Sequence, residues 1–276
     1  DQLKLLLSEF GENVRFEYDL KKKKWFNIGG KAKIFYKANN LNELIIFLKK
    51  LDNKEKVFIL GAGSNTLISD NLFNGVVIKL GKNFNNISLL GEDIIIAGSS
   101  VLDKSLSEFA MNNSLSGFEF LSCIPGTIGG GIRMNAGCFG NEFKDILLSV
   151  QVIDKTGNVK TILSKDIKFE YRNNKLPDDL IFLSASFKGI KGNSVKINDE
   201  MSRLKIEKEK NQPTKIKTSG STFKNPTLQT KKKVWELIKE SIPLDTNFGD
   251  AYISDKHCNF FVNKGNATFE DMIRLI

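Results

Sequence analysis

The sequence predicts an α+β fold. Strand-like and helix-like runs follow one another in mixed order, without a regular βαβαβ alternation. A loop cluster at 191–194 separates a longer N-terminal part from a more charged C-terminal part. Two glycine-rich clusters, at 61–65 and 125–140, mark the longer part. A chain of 276 residues suits one large domain or two ordinary ones. Its apolar share of 41% and 22 glycines are those of a globular protein.

The elements follow in order. Asn40-x-x-Glu43 reads as a helix start, with Asn as cap and Glu reaching back. Leu41, Leu44, Ile45, Leu48 and Leu51 then recur at helical spacing. Residues 56–60 (KVFIL) read as a buried strand that runs into the turn Gly61-Ala62-Gly63-Ser64-Asn65. Short β-rich runs occupy 76–80 and 93–97. Leu102, Leu106, Phe109 and Ala110 form one face of a helix. Residues 149–154 and 159–163 make a hairpin about the Lys155-Thr156-Gly157-Asn158 turn. Residues 180–187 form a further strand. After the loop at 191–194 comes a charged helix at 199–210, and Val234, Leu237, Ile238 and Ile242 mark another. No tandem repeat is visible.

Charge and cysteine content narrow the function. The chain has 41 basic and 32 acidic residues, a net charge of +9. That balance admits a nucleic-acid binder, but no basic helix or basic–aromatic stripe accompanies it. Anionic small-molecule ligands are the expected partners, with no nucleic acid and no membrane. The longest apolar runs are far short of a membrane span, and no export signal is visible. Cys123, Cys138 and Cys258 lie far apart without C-x-x-C spacing. No metal site or disulfide is expected, and a reducing, cytoplasmic setting is.

The glycine clusters point to a ligand. Gly61-x-Gly63 after a strand is half of a dinucleotide fingerprint, but position 66 is Thr, and no Walker lysine motif occurs. A tight turn satisfied by its own Ser64 and Asn65 explains that loop equally well. The second cluster, Pro125-Gly126-Thr127-Ile128-Gly129-Gly130-Gly131, interleaves glycine with Ile124, Ile128, Ile132 and Met134. A flexible loop would carry polar filler. This pattern points to a packed segment whose backbone lies against a flat or phosphorylated ligand. The two loops together suit a cofactor with a pyrophosphate and a ring system.

Trp25–Gly30 (WFNIGG), residues 61–70 (GAGSNTLISD), 120–140 (FLSCIPGTIGGGIRMNAGCFG), Tyr171-Arg172-Asn173, 220–226 (GSTFKNP) and His257-Cys258-Asn259-Phe260 occur in this order. Together they resemble the UDP-N-acetylenolpyruvoylglucosamine reductase (UDP-N-acetylmuramate dehydrogenase) family, in its shorter form, from about residue 20 to the end. The resemblance implies an FAD-binding domain of the vanillyl-alcohol-oxidase (PCMH) type at 20–190 and a smaller α+β substrate domain at 195–276. It implies noncovalent FAD, NADPH as hydride donor, and reduction of an enolpyruvyl ether of a UDP-sugar in peptidoglycan synthesis. A monomer is expected. Another flavin oxidoreductase of the same fold is the alternative, though GSTFKNP argues against it. A nonenzymatic nucleotide- or RNA-binding protein is the alternative from a different class.

The resemblance also implies residue roles. The cofactor would lie against Gly61, Ala62, Gly63, Ser64, Asn65, Thr66, Pro125, Gly126, Thr127, Gly129, Gly130, Asn135, Ala136 and Gly137. Arg172 would hold the enolpyruvyl carboxylate as charge builds there. Arginine is scarce in this chain, with only Arg15, Arg133, Arg172, Arg203 and Arg274, so each remaining one is a candidate for a planar contact that lysine cannot make. Ser221 would donate a proton. No G-x-S-x-G elbow is present and His257 is the sole histidine, so a serine hydrolase is a poor reading. An alcohol donates well to a strongly basic carbon, and an enolate provides one. Tyr171, Lys208, Lys224 and Asn225 would contact substrate. His257 belongs to the wall of the site or to a satisfied core. The family pattern ends with a catalytic glutamate in an L-x-x-E segment. No residue up to Ile276 matches it, so a truncated C-terminus is expected.

Overall fold

Asn40 opens the first long helix in the manner its side chain predicts. The computed structural model describes residues 2–21, 25–51 and 54–276. Asn40 has extended backbone, and its Oδ1 accepts the Glu43 N–H at 2.9 Å before the helix Leu41–Lys50. Such a cap contributes about 1 kcal/mol. The reciprocal half of the predicted box is missing. Glu43 turns inward instead, and its Oε2 is buried without a partner. The helix buries Leu44, Phe47 and Leu48. Phe47 stacks on the fully buried Tyr36, with ring centroids 3.8 Å apart. Burial, and then the Glu43 carboxylate, hold the Tyr36 phenol above its ordinary pKa.

The chain divides into two compact units. The first comprises the described parts of Asp1–Phe16, Lys33–Gly61 and Asn74–Lys205. One of its cores surrounds Tyr36, Phe47, Ile34 and Ile78. It underlies a sheet ordered Val14–Asp19, Lys31–Ala38, Phe73–Leu80, Val57–Ile59. Val57–Ile59 runs parallel to Phe73–Leu80, with Val57 opposite Val76 and Ile59 opposite Ile78. The strand Val57–Ile59 is not buried as 56–60 reads: it lies at the sheet edge, paired on one side only, with Phe58 exposed, and it delivers the chain to Gly61.

The unit's second sheet has five antiparallel strands, in the order Val159–Leu163, Leu147–Ile153, Ile181–Lys188, Ile94–Gly98, Ile87–Leu90. The predicted hairpin is its edge, with Ser149 opposite Leu163 and Ile153 opposite Val159. Val150 and Val152 alternate into a core with Phe118, Phe120, Phe143 and Phe187. The helices Asp103–Asn112 and Ile128–Met134 complete that core through Leu106, Ala110, Ile128 and Ile132.

The second unit comprises the described parts of Glu17–Ala32, Ala62–Phe73 and Ile206–Ile276. Its sheet is ordered Thr218–Ser221, Phe260–Asn263, Ala251–Ile253, Asn247–Phe248, all antiparallel. The helices Val234–Ser241 and Phe269–Leu275 close a core of Phe26, Ile28, Ile238, Ile253, Phe261 and Met272. Thr268 caps the second helix, with its hydroxyl accepting the Asp271 N–H at 3.1 Å. The charged helix predicted at 199–210 spans Ser194–Asn211, because Asn193 Oδ1 accepts the N–H groups of Val195 and Lys196 and starts it earlier. Helices mixed with sheets in both units make the fold α+β.

Candidate functional site

In the first unit, Gly61 sits where the two glycine-rich segments meet. Its carbonyl accepts Lys79 Nζ at 3.2 Å. A Cβ at Gly61 would lie 2.7 Å from Thr127 Oγ1, so only glycine fits against the second segment. That segment is laced to the strand end at 98–103. Gly126 O accepts the Asp103 N–H, Ile128 N donates to Val101 O at 2.9 Å, and Gly129 N donates to Ser99 O at 2.9 Å.

The glycines of this segment divide by task. A Cβ on Gly131 would land in the Phe143 ring, and one on Gly129 would press on Ser99 at 3.2 Å. The close approach predicted for a ligand is made at these two positions by the protein itself. Gly130 is exposed, and a Cβ there would meet nothing nearer than Thr127 Oγ1 at 3.6 Å. Pro125 is also exposed, and Gly126 has a φ of 154°. The exposed positions 125 and 130 leave room for a flat, phosphorylated group. Gly131→Val is therefore expected to lower the stability of the ligand-free protein by about 1–3 kcal/mol, as overpacking does. Thermal unfolding of apoprotein checks this, with Gly130→Ala expected to unfold near the parent temperature.

The helix Ile128–Met134 ends at Asn135, which is left-handed with φ 42°. Ala136 N donates to Gly131 O and Asn135 N to Ile132 O, a Schellman ending. The Asn135 side chain is buried and spent within the protein. Its Oδ1 accepts the Lys144 N–H at 3.1 Å, and its Nδ2 donates to Glu170 O at 3.2 Å. Ala136 is half-buried, and Gly137 pairs with Glu142.

Glu170 begins a two-residue hairpin. Glu170 and Asn173 exchange both backbone hydrogen bonds, at 2.9 and 3.2 Å, and Tyr171 and Arg172 form its tip. Arg172 is left-handed, with φ 54°. Its guanidinium lies 5.6 Å from the Tyr171 ring centroid, and Tyr171 is exposed. Three side chains tie this strap to the glycine-rich helix. Besides Asn135, the buried Asn174 donates to Ile132 O at 3.1 Å. Arg133 donates to the carbonyls of Leu176, Pro177 and Leu180, and stacks 4.5 Å from the Phe182 ring centroid. Burial holds the Arg133 guanidinium below its ordinary pKa, opposed by the Asp178 and Asp179 carboxylates. Arg133 stands among the scarce arginines, whereas Asn174 lies in no motif. Arginine scarcity was a signal for Arg133; Asn174 had none.

In the second unit, Gly63 is buried with φ 71°, and its carbonyl accepts the Trp25 N–H at 3.3 Å. Gly30 N donates to Ser69 O at 2.8 Å, and a Cβ on Gly30 would collide with Asp70 O. Ala62, Ser64 and Thr66 are half-buried and Asn65 is exposed.

Ser221 ends the strand Thr218–Ser221, opposite Phe260, after a bulge at which Gly220 takes φ 81°. Asn259 holds the turn that follows. Its O accepts the Thr222 N–H at 2.8 Å, its Oδ1 accepts the Phe223 N–H at 3.0 Å, and its Nδ2 donates to Phe223 O at 3.0 Å. The half-buried Ser221 hydroxyl thus sits on backbone fixed from both sides. Asn225 Oδ1 accepts the Val234 N–H at 2.9 Å and so caps the helix Val234–Ser241. Lys224 is exposed, and Lys208 is half-buried near the end of Ser194–Asn211. His257 Nδ1 accepts the Asn259 N–H at 3.2 Å, and the ring meets Phe260 edge-on. Burial holds the imidazole below its ordinary pKa, so its proton resides on Nε2 at neutral pH. Cys258 Sγ donates to Trp235 O at 3.2 Å, and burial pushes the thiol up.

The first unit therefore gathers Gly61, residues 125–137 and the Tyr171–Arg172 hairpin. The second gathers Ser221, residues 222–225 and His257–Phe260.

Comparison with known proteins matches two family models, the first of which also takes in residues 62–73 of the second unit. The family model for an FAD binding domain matches residues 32–163. The model for the C-terminal domain of UDP-N-acetylenolpyruvoylglucosamine reductase matches 212–276. The UDP-N-acetylenolpyruvoylglucosamine reductase of Pelagibacter ubique is 63% identical over 276 residues, all of this chain and 91% of that protein. That of Rickettsia bellii is 46% identical over 258 residues, covering 94% of this chain and 84% of the relative. The crystal structure of the Thermus caldophilus UDP-N-acetylenolpyruvylglucosamine reductase superposes with a TM-score of 0.83 at 30% identity, covering 95% of this chain and 93% of that one. A glucose dehydrogenase, Phl p 4, shares the fold at a TM-score of 0.52 and 10% identity, over 69% of this chain and 44% of its own.

Proposed function

The chain belongs to the UDP-N-acetylenolpyruvoylglucosamine reductase family and is an FAD-dependent oxidoreductase that draws on NADPH, and we propose that Arg172 and Ser221 carry its reaction. The observation that supports the activity is 63% identity across the full chain. Reduction adds hydride and a proton across the enolpyruvyl double bond, giving UDP-N-acetylmuramate for peptidoglycan synthesis. Bound FAD supplies the hydride relay between NADPH and the vinyl group.

Residues of the two glycine-rich loops would hold the cofactor, at the exposed positions 125 and 130 with the adjoining Gly126, and at the turn 61–66. Arg172 pairs with the substrate carboxylate, where negative charge grows as hydride reaches the terminal carbon. A guanidinium matches that carboxylate with two parallel donors. Ser221 protonates the adjacent carbon. Its rigid backbone suits a donor that must sit within hydrogen-bond reach of one atom. Tyr171, Lys224, Asn225 and Lys208 take the UDP-sugar, with the cofactor assigned to residues 20–190 and the nucleotide sugar to 195–276.

No helix among the described residues is long and apolar enough to cross a membrane. We assign the protein to the cytoplasm, as a monomer acting on small molecules without nucleic acid. Cys123 is buried and Cys138 half-buried, and the glycine-rich segments contain no histidine, which supports a noncovalent flavin. Purified protein is expected to be yellow and to release intact FAD on acid or heat denaturation. Flavin that stays with the denatured chain would overturn the noncovalent assignment. Colourless protein that cannot be loaded with FAD would overturn the reading as a whole.

A further inference from the structure

Arg172 occupies a conformation that its own side chain disfavours. A left-handed backbone is unfavourable for a residue that carries a side chain, and a two-residue hairpin is marginal by itself. Such a residue persists where its surroundings over-determine it. Here the nearest buried anchor is Asn174, two residues on and 1% exposed. Its Nδ2 donates to Ile132 O in the last turn of the glycine-rich helix, and its Oδ1 accepts the Leu176 N–H at 3.0 Å. One amide thus joins the 174–176 strap to the glycine-rich helix. Resting on the role proposed above for Arg172, we infer that Asn174 is a positioning residue that ties the Tyr171–Arg172 hairpin to the glycine-rich helix and so aims the guanidinium at the substrate carboxylate.

The anchoring is separable from cofactor binding. The segment 126–129 has its own bonds to Ser99, Val101 and Asp103. Those bonds do not pass through Asn174. Loss of the Asn174 amide frees the strap at 174–176, while Asn135 and Arg133 still hold its flanks at Glu170 and at 176–180. The hairpin tip is then loosened but the loop is not.

The test is anaerobic stopped-flow on holoenzyme carrying Asn174→Ala, beside the parent and Arg172→Ala. FAD content and flavin reduction by NADPH are expected to stay within about twofold of the parent. Reoxidation by the enolpyruvyl substrate is expected to slow by about 10–100-fold, the scale of a misplacement near 1 Å. Asn174→Ser, which keeps a donor and an acceptor, should recover part of that loss, and it decides the matter if the alanine variant does not fold. Loss of flavin, equal slowing of both half-reactions, or unchanged reoxidation would each overturn the positioning role. If Arg172→Ala itself reoxidises at the parent rate, the fault lies with the role of Arg172 on which the inference rests.

Discussion

Ser221→Ala is expected to divide the catalytic cycle in two. Flavin reduction by NADPH should proceed at nearly the parent rate, because that half needs only nicotinamide and flavin in register. Reoxidation by the enolpyruvyl substrate should slow by about 10²–10⁴-fold, or roughly 3–5 kcal/mol of barrier, since only that half consumes the proton. The backbone argument makes the variant clean. The turn after Ser221 is held by Asn259 through Thr222 and Phe223, and none of those three bonds uses the serine hydroxyl. Stopped-flow traces of the two halves check it. Equal slowing of both would make Ser221 a structural residue.

The second large effect is expected at Arg172. In its proposed role Arg172 faces the developing enolate, so Arg172→Ala is expected to slow reoxidation by about 10²–10³-fold, the usual cost of losing one such group. Arg172→Lys keeps the charge but not the planar fork, so it should restore only part of the rate. Substitution also tests strain. Glycine suits a φ of 54° better than arginine does. Arg172→Gly should therefore raise thermal stability or leave it unchanged while slowing substrate-dependent reoxidation as much as Arg172→Ala does. A variant that loses stability and activity together would point to a structural guanidinium. Thermal unfolding and single-turnover reoxidation, measured on the same preparation, separate the two.

Local features were legible in the sequence. The Asn40 cap, the hairpin about 155–158 and the strand entering Gly61 all depend on neighbours within a few residues, and each stands where the pattern put it. Glu43 shows the limit. Its spacing fits a capping box, but its carboxyl is drawn to the Tyr36 side of a core whose other members come from distant segments. The glycines show it again. Their clustering announced close packing, yet the partners at Gly129 and Gly131 are Ser99 and Phe143, which no local pattern connects to them. The second unit takes in residues 17–32 and 62–73 for the same reason. Phe26 and Ile28 join a core of the C-terminal segment across more than two hundred residues of chain.

The candidate site was legible where several motifs recur in a fixed order, and not where a residue acts through another. Arg172 and Ser221 sit in such motifs. Asn259 lies in one as well, but its three bonds to the Ser221 turn follow only from the pairing of the two strands. Asn174 follows Arg172 by two residues and reads as loop filler. Its partner, Ile132 O, is a backbone atom with no signature in sequence.

The central claim is that this protein reduces a UDP-sugar enolpyruvyl ether at the expense of NADPH. The most direct measurement is an anaerobic incubation of the full-length holoenzyme with NADPH and UDP-N-acetylenolpyruvoylglucosamine, followed by mass analysis of the nucleotide sugar. The predicted result is a product heavier by two hydrogens, formed one for one with NADPH oxidised, and none when Arg172→Ala replaces the parent over the same time. NADPH oxidation that requires oxygen and leaves the nucleotide sugar unchanged would contradict it, and would make the protein a flavin oxidase that does not act on this substrate.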